Sequence, residues 1–208
     1  MPTRVLMISR WMQAFSLVLV IFAATLPARA QGAADPAAAT VQGFYDALLA
    51  GMKSGGTVKS RYDKLKPAVE KAFDLPGMTA LSVGPSWSST SPADQKALID
   101  AFERMTVANY AHNFDSYNGE KFTVDPTVMD RNQDKLVKST LKPSSGDAIP
   151  FNYRLHQADG AWKIVDIYLN GNISQLAQKR ADFATTISSS GAAGLAKRLN
   201  ALADQMLN

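Results

Sequence analysis

Asp159-Gly160 sits between two runs in which apolar and polar residues alternate, 149–157 and 161–169, and nothing else in the chain constrains folding so tightly. Asp-Gly tolerates the positive φ that both central positions of a type I′ turn need, so the two runs close on one another as an antiparallel hairpin. With Ala158 facing Ala161, Gln157 is expected opposite Trp162, Leu155 opposite Ile164, Tyr153 opposite Asp166 and Phe151 opposite Tyr168. Directly paired residues share a face. One face then collects Phe151, Tyr153, Leu155, Trp162, Ile164 and Tyr168, while the other holds Asn152, Arg154, His156 and Lys163 beside Val165 and Ile167. The first face demands an apolar cover.

Two further alternating runs, 122–129 and 136–141, precede the hairpin, with Asn, Asp, Gly and Pro between them, so four antiparallel strands are expected. The cover comes from both flanks, where the apolar period is close to 3.6. Asp35-Pro36 supplies a cap and a first-turn proline for a helix with Val41, Phe44, Leu48 and Met52 on one stripe, ended by Ser54-Gly55-Gly56. A second helix over 58–73 presents Tyr62, Leu65, Val69 and Phe73, with Pro67 as a kink or boundary, and 75–87 reads as loop or one short helix. Ser91-Pro92-Ala93-Asp94 opens a helix running to about His112, with Leu98, Phe102, Met105 and Asn109 aligned. After Gly171 come Ile173, Leu176, Arg180, Phe183 and Ile187, a break at 188–191, and a last helix with Leu195, Leu199, Leu202 and Met206. The order predicts an α+β domain: helices packed on one face of a curved four-stranded antiparallel sheet, a cone-like core. Its parts are helical over 35–112, sheet over 121–169 and helical over 172–207.

The first thirty residues stand apart. Arg4 and Arg10 form a positive start, residues 14–26 are mostly apolar, and Ala28-Arg29-Ala30 is an A-x-A site, so a signal peptide cleaved after Ala30 is expected, leaving 31–208 as a single domain. Removing 1–30 takes away three arginines and no acid, which lowers the net charge from +4 to +1. A nucleic-acid partner therefore loses its electrostatic basis. An exported chain with no cysteine has neither disulfides nor a thiol for lipidation, and is expected in the periplasm. Catalytic patterns are sparse: the only histidines are His112 and His156, both read as surface or capping residues, and there is no G-x-S-x-G elbow or P-loop. Neither a metal nor another cofactor is expected.

Several segments together resemble the MlaC-like periplasmic phospholipid-binding proteins, the toluene-tolerance substrate-binding family of ABC transporters. They are Phe73-Asp74-Leu75 followed by Leu81 and 84–87, Asp94-Gln95 leading to Phe102 and Asn109-Tyr110-Ala111, the run from Asp159 to Asp166, and Gly171-Asn172-Ile173-Ser174 followed by Arg180-Ala181-Asp182-Phe183. Asn172-Ile173-Ser174 and the 188–191 break are closer to the hopanoid-associated HpnM branch. The resemblance implies a carrier without catalysis that shuttles a phospholipid or hopanoid between an outer-membrane lipoprotein and an inner-membrane ABC transporter. Its apolar moiety would lie in a cavity between sheet and helices, lined by Phe102, Met105, Tyr110, Phe151, Tyr153, Leu155, Trp162, Ile164 and Tyr168. On composition alone the six hairpin residues read as a plain core, and it is the resemblance that makes them a pocket wall. Two other readings stay open. Asp166 opposite Tyr153 on an apolar face could serve proton transfer in a small cone-shaped isomerase or dehydratase, and a fully packed core would suit a docking module of a transporter complex.

Overall fold

The computed structural model describes residues 34–208; the expected signal peptide lies outside them. Five helices and a six-stranded antiparallel sheet follow one another as α1 (Pro36–Ser54), α2 (Val58–Ala72), α3 (Leu75–Val83), α4 (Pro92–Asn113), β1 (Lys121–Val124), β2 (Met129–Arg131), β3 (Asp134–Lys142), β4 (Ile149–Ala158), β5 (Ala161–Leu169), β6 (Ile173–Ser174) and α5 (Gln175–Leu207). Among the described residues, no helix is long and apolar enough to cross a membrane.

The helices begin where local chemistry says they should. Asp35, Thr57, Asp74, Ser91 and Ser174 each accept a hydrogen bond from an amide of the first turn, satisfying a donor that the helix itself cannot. Residues 75–87, read as loop or one short helix, form α3 and enter a 3₁₀ turn over Gly84–Ser89, because Asp74 and Pro76 start a helix there. Pro67 stays inside α2. Arg61 of α2 is buried, and donates from Nε to the Ala111 carbonyl at 2.9 Å and from Nη1 to the Gly56 carbonyl at 2.7 Å, tying α2 to the last turns of α4. The expected break near 188–191 falls at Gly191, whose φ of 66° and ψ of −170° interrupt α5.

The sheet runs β1-β3-β4-β5-β6, and β2 shares the β3 edge beside β1. It has six strands rather than four because the expected strand at 122–129 is cut at Asp125, whose carboxylate accepts from the Thr127 amide across Pro126, and because Ile173–Ser174 adds a short edge strand on β5. The residues between the two expected strands, 130–134, extend the pairing of β2 with β3 around Asn132, which takes a positive φ of 58°. The Asp159-Gly160 turn has the expected positive φ at both positions, 51° and 76°.

Beyond that turn the hairpin departs from the expected register. Leu155 pairs with Ile164 as expected, but Arg154 pairs with Asp166, Tyr153 with Ile167, Asn152 with Tyr168 and Phe151 with Leu169. Val165 is the extra residue of a β-bulge. An uninterrupted ladder would have turned Asp166 and Tyr168 toward the helices and Ile167 and Leu169 away; the inserted residue reverses this. Helix α1 packs on β1, β3 and β5, and α2, α3 and α5 pack on β5, so the helical layer covers one face of the sheet.

Candidate functional site

The two layers do not close completely. A cavity of about 300 Å³ lies between them, at the lower end of the roughly 300–1,000 Å³ typical of small-molecule sites. Its depth is aromatic, because rings from α1, the end of α2, α4, β1 and β4 converge there. Phe44 meets Phe73 and Tyr110 edge-on with centroids 5.0 Å apart in each case, and Tyr45 stacks on Phe122 at 4.4 Å and meets Tyr153 edge-on at 5.7 Å. Such geometries follow the ring quadrupole and hold the wall rigid. Leu48, Met78, Met105, Ile167, Leu169 and Leu176 complete the apolar surface.

The polar atoms of the deep wall are largely committed. Ser139 donates to the Phe151 carbonyl, so the Tyr45 hydroxyl, 2.6 Å from Ser139 Oγ, is the donor of that pair. Burial pushes the phenols of Tyr45, Tyr110 and Tyr153 above the ordinary tyrosine value. They stay neutral near pH 7. The rim differs: Thr106, Asn109 and Asn113 from α4 face Gln175 and Lys179 from α5. Burial pushes the Lys179 ammonium below the usual lysine value, with Asp182 partly opposing the shift.

Of the nine residues singled out in the sequence, Met105, Tyr110, Phe151 and Tyr153 line this cavity. Phe102, Leu155 and Ile164 are wholly buried but lie outside its lining; Phe102 meets Phe183 edge-on at 6.3 Å, and Leu155 and Ile164 face each other on the turn side of the bulge. Trp162 sits at the turn end of the hairpin, with the Lys135 ammonium 5.0 Å from its ring and its carbonyl accepting from Thr40 at 3.0 Å. Tyr168 lies on the outer face of the sheet, in a groove with Arg131, Arg154 and Asn172, because the bulge rotated it there. The Asp166–Tyr153 pairing does not form. Asp166 accepts instead from the Ile167 amide at 2.8 Å, the Ser174 hydroxyl at 2.6 Å and the Leu176 amide at 3.0 Å, which anchors the start of α5.

Phe44 and Leu48, which the sequence puts on a helix stripe without pointing to a site, and Ile167 and Leu169, which a strict register sends outward, also line the cavity. Their signal was the apolar spacing Ile167, Leu169, out of phase with Ile164 by one residue. Thr106 lies alongside the apolar stripe of its helix but was not singled out for the site, and Lys179 carried no sequence signal, since polar helix residues are the usual surface.

A layer of helices over an open antiparallel sheet, parted around an aromatic-floored cavity with a polar rim, is the frame of the candidate site. The chain belongs to the MlaC protein family, whose pattern matches residues 39–201. The toluene tolerance protein Ttg2D of Pseudomonas putida is 25% identical over 143 residues, covering 65% of this chain and 66% of that protein. The fold is shared with a phospholipid-binding protein from Ralstonia solanacearum, solved in complex with a phospholipid, at a TM-score of 0.72 and 22% identity over 84% of this chain and 100% of that one.

Proposed function

We propose that this protein is a periplasmic lipid carrier, which holds the acyl or terpenoid part of a phospholipid or hopanoid in the cavity and performs no catalysis. The observation that carries this reading is the cavity itself: an aromatic floor and a polar rim between otherwise well-packed layers. A phospholipid-bound relative of the same fold and a toluene tolerance relative support it. The carrier would receive its lipid from an outer-membrane lipoprotein and pass it to an inner-membrane ABC transporter, or the reverse.

The energetics suit exchange rather than capture. Two chains of roughly 16 carbons, at about 0.8 kcal/mol per methylene, represent about 25 kcal/mol of transfer from water, beyond any net affinity a protein site delivers. Between a bilayer and the cavity, apolar surroundings are traded for apolar surroundings, so the net change is small and the carrier can load and unload. Native mass spectrometry of the protein purified without detergent, followed by solvent extraction, tests the reading. A phospholipid or hopanoid at near one-to-one ratio is expected; an empty protein that also takes no lipid from vesicles would sink it.

A further inference from the structure

The cavity is asymmetric. Its floor is built from rings, whereas its rim, between α4 and α5, carries one cation, three side-chain amides and a hydroxyl. Lys179 is the only charged residue in the lining among the described residues, and no carboxylate shares that lining with it. It forms no ion pair among the described residues. Its ammonium lies 5.9 Å from the centre of the Phe102 ring, which is itself wholly buried, so the cation is seated on the core rather than trailing into solvent. Thr106 and Asn109 of α4 share that lining with it; the Thr106 hydroxyl is buried without a hydrogen-bond partner, and the Asn109 amide makes only a 3.9 Å contact with the Met206 sulfur. A half-buried cation outside any ion pair, eased only in part by Asp182 of the same helix, and a buried hydroxyl without a partner are each costly in the empty protein. The cost is removed by a ligand group that bears a negative charge and several acceptor oxygens.

We propose that the α4–α5 rim seats the phosphate of a glycerophospholipid, with Lys179 as its counter-ion, Thr106 and Asn109 as donors, and the alcohol of the headgroup left in water. This rests on the carrier reading and narrows it: the recognised unit is the phosphodiester common to phospholipids, so an uncharged lipid of equal apolar bulk is held less well. Phe102, placed at the site by the sequence but absent from the cavity wall, acquires a role as the seat of the cation.

The test offers the protein vesicles containing phosphatidylglycerol and diacylglycerol with the same acyl chains and measures the ratio extracted by mass spectrometry. The wild-type protein is expected to favour the phospholipid. K179M, or K179Q should the longer side chain disturb packing on Phe102, is expected to lower that ratio about tenfold, the scale of one lost charge-assisted hydrogen bond. K179R is expected to restore it, and T106V to lower it by a smaller factor. A folded K179M or K179Q protein with the wild-type ratio, or a wild-type protein that takes both lipids equally, overturns the phosphate seat and leaves the carrier standing. A wild-type protein that extracts neither lipid overturns the carrier reading itself.

Discussion

Asp35 performs two tasks at the start of α1: one carboxylate oxygen accepts from the Ala37 amide at 2.8 Å and the other pairs with Lys135 of β3. Burial raises its pKa, but the Lys135 contact and the helix amides outweigh this and leave it below the ordinary value of 3.8. A carboxylate depressed in the folded state contributes stability that is present above the unfolded value and lost as pH falls through the folded one. Asp35→Ala is therefore expected to cost about 1 kcal/mol at neutral pH, the usual loss for a helix cap, and the gap between variant and wild type should shrink below about pH 3.8. Urea melts at pH 7 and pH 3 would check this, and an equal gap at both would refute it. The cap was legible in the sequence, because Asp-Pro before an apolar stripe is a local signal. The partner was not, since Lys135 lies a hundred residues away. His156 is similar: it was read as a surface or capping residue, and its Nε2 lies 2.8 Å from the Asp74 carboxylate that caps α3.

At the scale of elements, glycine and turn signals worked and strand register did not. Gly191 breaks α5 where the Ser-Ser-Ser-Gly run indicated, in a region of φ and ψ that is essentially glycine-only. The position has open space around it, so a methyl group meets no neighbour and the penalty is purely conformational. Gly191→Ala is expected to destabilise the fold by about 1–3 kcal/mol, read as a lower melting temperature; an unchanged value would mean the two halves of α5 are free to reorient. The hairpin shows the opposite limit. Its turn was readable because two residues decide it, but the bulge at Val165 reflects a balance over the whole strand: without the extra residue, Asp166 and Tyr168 would occupy the face under the helices while Ile167 and Leu169 faced water. The three adjacent buried residues Ile164, Val165 and Asp166 mark that compromise.

For the molecule as a whole, the incompletely filled interface between layers has a measurable consequence. A ligand that binds only the folded state stabilises it by about 2.7 kcal/mol when present at a hundred times its dissociation constant, so stripping lipid from the protein should lower its melting temperature by about 5 °C or more, and vesicles should restore it. Ile167→Trp, which adds bulk at the cavity wall, is expected to reduce bound lipid severalfold while keeping the fold, as judged by circular dichroism and native mass spectrometry. Undiminished lipid in that variant would place the ligand elsewhere. The sequence by itself determined the order of the longer helices and strands, most helix starts, the Asp-Gly turn and the division into an antiparallel sheet with helices on one side, because each depends on residues within a few positions of one another. It also identified Met105, Tyr110, Phe151 and Tyr153 as inward-facing. Only the tertiary structure decided which inward residues border a cavity and which are plain core, because a void is the difference between two packed surfaces and no single segment encodes it. The same reason hid Thr106 and Lys179, whose place at the rim exists only once α4 and α5 lie side by side.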